Sequence, residues 1–158
     1  AEGTANYGVA MAFPDALKKS FQRDVLYPLA GIDPALLDKY EALLKLIAQL
    51  SYAGNEAARD YIDGKMTKQQ AIDWLINVEL YPVEKAPQRI SFFDVNRSYV
   101  INYNVGKDLV KDYVEYKTRG ATTEPEKTEL GWQVFEQLLS SPRLPSNLKA
   151  ESSPPKPK

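Results

Sequence analysis

The chain has 158 residues, 20 basic and 21 acidic side chains, a formal net charge of -1, and neither histidine nor cysteine. That length suits one domain with a real core, and an apolar fraction of 44% with two tryptophans and ten tyrosines excludes a wholly disordered chain. Balanced charge leaves no footprint for a sequence-independent phosphate binder, so no nucleic-acid partner is expected, and the lack of cysteine removes thiol chemistry while leaving the compartment undetermined.

The first element is a helix of small residues that opens Glu2-Gly3-Thr4-Ala5-Asn6-Tyr7-Gly8 and reaches Phe13-Pro14. Asp15 to about Tyr27 follows, with Leu17, Phe21, Val25 and Leu26 at helical spacing, and Pro28 is expected to end it. Asp33-Pro34 then pairs an N-cap acceptor with a proline at the first helical position. A long helix should follow, with Leu36, Leu37, Tyr40, Leu43, Leu44, Ile47 and Leu50 on its apolar face. Within it, Ser51-Tyr52-Ala53-Gly54 lets another backbone come close, and Asp63-Gly64 supplies the stop.

Thr67 and Gln70 fit a capping box, and Ala71, Trp74, Leu75 and Val78 form the inward face of the next helix, which Tyr81-Pro82 breaks. Another helix beyond Pro82 puts Ile90 and Phe93 in the core. Arg97 to about Lys117 reads as one helix with a seam of Tyr99, Tyr103, Gly106, Val110 and Tyr113. A linker around Gly120 to Pro125 leads into a last helix carrying Leu130, Trp132, Val134, Phe135, Leu138 and Leu139, and the chain after Ser140 reads as loop. The pattern is all-α, an irregular bundle of about six or seven helices in a single domain over 1–149. Residues 150–158 form a Pro, Ser and Lys-rich tail with too little apolar area to offset ordering, so disorder is expected there. No stretch reaches the roughly 18 uncharged apolar residues that span a bilayer, so no membrane partner is expected. A start at Ala1 without Met agrees with a processed product or with a piece cut from a longer chain, and either permits upstream residues.

Two groups of residues suggest chemistry. At 3.6 residues per turn Glu2 and Asn6 share one helix face, where a carboxylate and an amide can touch one site. A zinc hydrolase built on helices takes two histidines and a general-base glutamate from one helix and a carboxylate ligand from a second. Glu2 suits that second helix, because Gly3, Ala5 and Gly8 keep its surface low and Asn6 is placed to orient a ligand histidine. By itself Glu2 also reads as a solvated first-turn acid favoured by the helix dipole. The second group is Tyr99, Tyr103 and Gly106 on one face, with Arg97 a turn or so before Tyr103. A phenol can donate to a developing oxyanion and an arginine can take a substrate carboxylate through two parallel hydrogen bonds, although tyrosines at this spacing also serve as packing residues.

The run Glu2-Gly3-Thr4-Ala5-Asn6-Tyr7-Gly8, followed by Ala12-Phe13-Pro14, resembles the third-ligand helix of gluzincin-type zinc metallopeptidases, most closely a group of long helical gluzincin-like bacterial proteins. The resemblance extends through Tyr61 to Glu84, through Arg97-Ser98-Tyr99-Val100-Ile101-Asn102-Tyr103-Asn104-Val105-Gly106, and through Leu138-Leu139-Ser140-Ser141-Pro142-Arg143-Leu144-Pro145, and so covers almost the whole chain. It implies a hydrolase acting through zinc-activated water on an amide bond of a peptide substrate. It further implies Glu2 as a metal ligand with Asn6 behind it, Tyr103 first and Tyr99 second as catalytic phenols, and Arg97 as a substrate-binding residue. The His-Glu-x-x-His-like helix of that family is absent from these residues. The implied partner is therefore an N-terminal portion of the same protein that carries the histidines. Zinc is expected only in the complete protein, and the isolated chain is expected to be inactive. The competing expectation is a helical protein–protein interaction module without catalysis, using the apolar face of the long helix or the Tyr99 to Tyr113 seam.

Overall fold

The computed structural model describes Glu2 to Ser152, with no strand among the described residues, so the all-α expectation holds. In chain order the elements are α1 (Glu2–Ala12), α2 (Asp15–Phe21), a π turn (Gln22–Leu26), α3 (Tyr27–Leu29), a 3-10 turn (Pro34–Leu36), α4 (Leu37–Ile62), α5 (Lys68–Asn77) and α6 (Ala86–Asn96). A 3-10 stretch (Arg97–Tyr103), α7 (Val105–Thr118), α8 (Glu124–Ser140) and α9 (Pro145–Glu151) complete it. These elements fall into two compact units, one within Ala1–Phe13 and Asn102–Lys158, the other within Pro14–Ile101. Residues 153–158, most of the tail expected to stay disordered, lie outside the described residues.

In the unit Pro14–Ile101 the local capping chemistry sets the helix ends. Asp33 accepts from the Ala35 N–H at 2.9 Å, Thr67 Oγ1 accepts from the Gln70 N–H at 3.2 Å, and Gln70 Oε1 accepts from the Thr67 N–H at 2.9 Å. Gly64, just past α4, takes a φ of +74°, which a residue without a Cβ adopts freely. Pro28, expected to end its helix, instead lies inside α3, downstream of the π turn in which the Tyr27 N–H bonds the Gln22 carbonyl. The wider turn gives the proline ring room where a regular helix would press it on the carbonyl four residues back.

The core of this unit lies between the C-terminal half of α4 and helices α5 and α6. Ala57, Ala71, Leu75, Ala86, Ile90 and Phe93 are wholly buried there. Trp74 is half-buried and donates its indole N–H to the Ala53 carbonyl at 3.0 Å. Val78, expected on the inward face, is exposed because it falls at the C-cap beyond the last turn of α5. The apolar seam of α4 is only half covered. Gly54 and Ala57 are buried, whereas Leu36, Tyr40, Leu43 and Ile47, at the same spacing of threes and fours, remain about half exposed.

Gly54 does not receive another backbone, as its small size suggested. It faces the Glu79 carboxylate, and a Cβ there would lie 2.5 Å from Oε2. That oxygen is buried and accepts no hydrogen bond among the described residues. Burial pushes the Glu79 pKa above the usual carboxylate range, and the Arg89 guanidinium pulls it partly back. Because the folded pKa is raised, the fold takes up a proton. The Glu79 contribution to stability is then fully present below the unfolded pKa and lost as pH rises through the folded one. Glu79→Gln should therefore melt at a higher temperature than the parent at neutral pH, with the gap closing as pH falls into the carboxylate range. Asp24, Asp38 and Glu126 have lowered values and the opposite slope, so the parent-minus-variant difference in thermal melts isolates Glu79. A gap independent of pH would remove this account.

In the other unit α7 packs against α1, α8 and α9. Val110, Tyr113, Val114, Val134, Phe135, Leu138 and Leu148 form the core, with Tyr7 and Met11 of α1 against it. The segment after Ser140, read as loop, contains α9. Pro145 fills the first helical position, the Leu144 N–H donates to Asn147 Oδ1 at 3.2 Å, and Leu148 anchors the short helix by burial. The expectation of one helix from Arg97 to Lys117 is also corrected. Arg97 takes a φ of +52°, which ends α6, and the seven residues Arg97–Tyr103 wind as 3-10 helix. Asn104 then starts α7 by accepting the Val105 N–H on its own Oδ1 at 2.7 Å. The regular helix on which Tyr99, Tyr103 and Gly106 were expected to share a face is therefore absent over Arg97–Tyr103.

Candidate functional site

Local sequence brings Glu2 to the first turn of α1, where its side chain is half-buried. The following residue, Gly3, is the point at which α1 meets α7. A Cβ on Gly3 would overlap the carbonyl carbon and oxygen of Gly106 and lie 2.9 Å from the Lys107 nitrogen. Main chain therefore touches main chain at this crossing, an approach that only glycine at Gly3 permits. The helix that meets α1 at Gly3 is α7.

One turn further on, Asn6 donates from Nδ2 to the Tyr103 main-chain carbonyl at 3.0 Å. The structure thus joins Glu2, Asn6 and the Tyr103 segment in one unit, although the Asn6 contact is to backbone and not to the phenol. The Tyr103 side chain is over a third exposed. Tyr7, on the opposite flank of α1, packs edge-on against Phe135 with ring centroids 5.9 Å apart. Burial, and secondarily the Glu115 carboxylate, raises the Tyr7 phenol pKa. Arg97 and Tyr99 are exposed and belong to the unit Pro14–Ile101.

A catalytic zinc centre uses three protein ligands. Among the described residues no three His, Cys, Asp or Glu side chains are grouped so as to hold a metal ion. The described residues therefore do not fit a complete centre. No helix among the described residues is long and apolar enough to cross a membrane.

Beside the Gly3–Gly106 crossing lies a cavity of about 500 Å³, whose polar lining comes from Thr4, Asn102, Ser141 and Arg143. Reading the sequence alone missed these four as a set. Asn102 and the run Ser141-Pro142-Arg143 carried only a family likeness. Their convergence depends on how α1, α7 and α8 pack, which no local spacing encodes. No family model, curated protein or solved structure matches this chain.

Proposed function

We propose that this chain supplies the carboxylate ligand Glu2 to a helical gluzincin-type zinc peptidase whose histidines come from another segment of the same protein. What supports this reading most is the glycine-to-glycine crossing of α1 and α7, which fixes the start of α1 by backbone contact and leaves Glu2 half-buried beside it. A metal ligand requires such a fixed position, because small displacements of a donor weaken the whole centre. The metal, when bound, supplies polarisation of an amide carbonyl and activation of water. Asn6 holds the Tyr103 segment to α1 through its 3.0 Å bond, so the phenol of Tyr103 is carried on a segment tied to the same helix as Glu2.

The coding sequence upstream of Ala1 provides the first test, and a His-Glu-x-x-His-like helix is expected there. In the complete protein, Glu2→Gln should lower zinc occupancy at fixed free zinc by at least about tenfold, measured by metal analysis after dialysis. Unchanged occupancy would overturn the assignment. A non-catalytic interaction module would then remain, for which Leu36, at the N-cap of α4, and the half-exposed α4 residues Tyr40, Leu43 and Ile47 are the surface.

A further inference from the structure

The apolar stripe of α4 keeps one period along its whole length. Leu36, at the N-cap, is followed by Tyr40, Leu43, Ile47 and Leu50 at intervals of four, three, four and three, and Gly54, Ala57 and Tyr61 continue the alternation. Alternating fours and threes are the heptad pattern of helices that pair side by side, the side chains of one filling the gaps of the other. The last three of these residues already have cover within the unit Pro14–Ile101, since Gly54 and Ala57 are buried and Tyr61 packs on the core shared with α5 and α6. Leu36, Tyr40, Leu43 and Ile47 carry the same pattern yet stay about half exposed, and beside them Leu46 is 59% exposed.

Size, charge and register point to what covers this face. The five side chains present on the order of 500 Å² to solvent, within the range at which an apolar patch marks a binding surface. Two such faces bury on the order of 1,000 Å² together, the size at which specific interfaces begin. One edge of the stripe carries Lys39, Leu46 and Ala53 and the other Leu37, Leu44 and Ser51, so a single lysine and no acid border it. Such a face has little charge with which to select a partner of opposite sign, but it complements itself. An antiparallel second copy brings Tyr40 against its Leu50 and Leu43 against its Ile47, and the two Leu46 side chains meet beside the two-fold axis. Lys39 then lies opposite Ala53, and no like charges face each other. A parallel copy would have to share the stripe beyond Leu50 as well, where the core formed with α5 and α6 already buries Ala57.

We propose that the exposed half of the α4 stripe is a self-association surface, on which a second copy of this chain packs antiparallel about a two-fold axis beside Leu46. The stripe lies within one unit, and the pairing needs neither zinc nor the histidine-bearing segment. Its failure is therefore distinct from failure of the metal assignment.

Sedimentation equilibrium of the full chain over about a hundredfold range of concentration should show monomer in equilibrium with dimer. Leu46→Glu, which sets two carboxylates against each other at the axis, should weaken dimerisation at least about tenfold. Gln49→Glu, exposed on α4 but off the stripe, should leave it unchanged. Both side chains are exposed, so both variants should fold, and far-UV circular dichroism checks this. The chain has no cysteine, so introduced ones report the register without background. Mixed under oxidising conditions, Leu43→Cys and Ile47→Cys chains should form disulfides with each other in preference to their own kind, because antiparallel pairing brings position 43 of one copy to position 47 of the other. A monomer at every concentration would overturn the proposal and leave the face to a different protein or to an upstream segment. Dimerisation untouched by Leu46→Glu, or a preference of each cysteine variant for its own kind, would overturn it as well.

Discussion

Phe93→Ala should destabilise the unit Pro14–Ile101 by about 3–5 kcal/mol, the largest loss expected from any single truncation in the chain. The ring is fully buried, and three of the wholly buried residues in its cluster, Ala57, Ala71 and Ala86, sit on three different helices. Short side chains hold those helices at close range, so the space left by the ring cannot be filled by a neighbour swinging inward. The Arg89 guanidinium, 5.2 Å from the ring centroid, would lose its cation–π contact as well. Val95→Ala on the same helix, where the side chain is 80% exposed, should change stability by less than about 0.5 kcal/mol. Each unit contains one tryptophan, Trp74 in this one and Trp132 in the other. Urea unfolding followed by ¹⁹F NMR on fluorotryptophan-labelled protein therefore reads the two units separately. A loss below about 1 kcal/mol at Trp74 would mean that the site collapses and that the packing account is wrong.

Gly3→Ala should cost about 1–3 kcal/mol in the other unit, read at Trp132, while Gly106→Ala should be tolerated to within about 0.5 kcal/mol. The two glycines face each other, yet their substitution effects differ because the vectors of their missing Cβ atoms differ. At Gly3 the new carbon runs into the Gly106 carbonyl, and a main chain in a helix cannot step aside. At Gly106 it meets Asn102 Cβ at 3.5 Å and Gly3 Cα at 3.6 Å, ordinary contact distances. Equal losses at the two positions would show that the helices do not cross as described.

Much of the fold was readable because its signals are local. Asp33-Pro34, the Thr67–Gln70 box and Asp63-Gly64 act within four residues, and each lies where it was expected. Ile90 and Phe93 also followed from spacing alone, since a helix packed on two others buries the stripe its sequence offers. The Arg97–Tyr103 stretch was misread because its residues keep helical spacing while a positive φ at Arg97 sets the backbone. Nothing in the identity of an arginine announces that conformation. The α4 seam was read as one inward face, but only its second half meets α5 and α6, and spacing carries no information about where cover ends. At the candidate site Gly3 was legible as a point of close approach, whereas its counterpart Gly106 and the residues around Arg143 come from distant sequence.

One unit is continuous in sequence and the other is not. The bond between Asn6 and Tyr103 spans 97 positions, and closing a loop of that length costs on the order of 4 kcal/mol before any contact repays it. During synthesis on the ribosome, α1 emerges well ahead of α7, the helix it packs on, and by the time α7 follows the intervening helices are already out. The continuous unit therefore has all of its chain in hand before α1 can meet its partner helix.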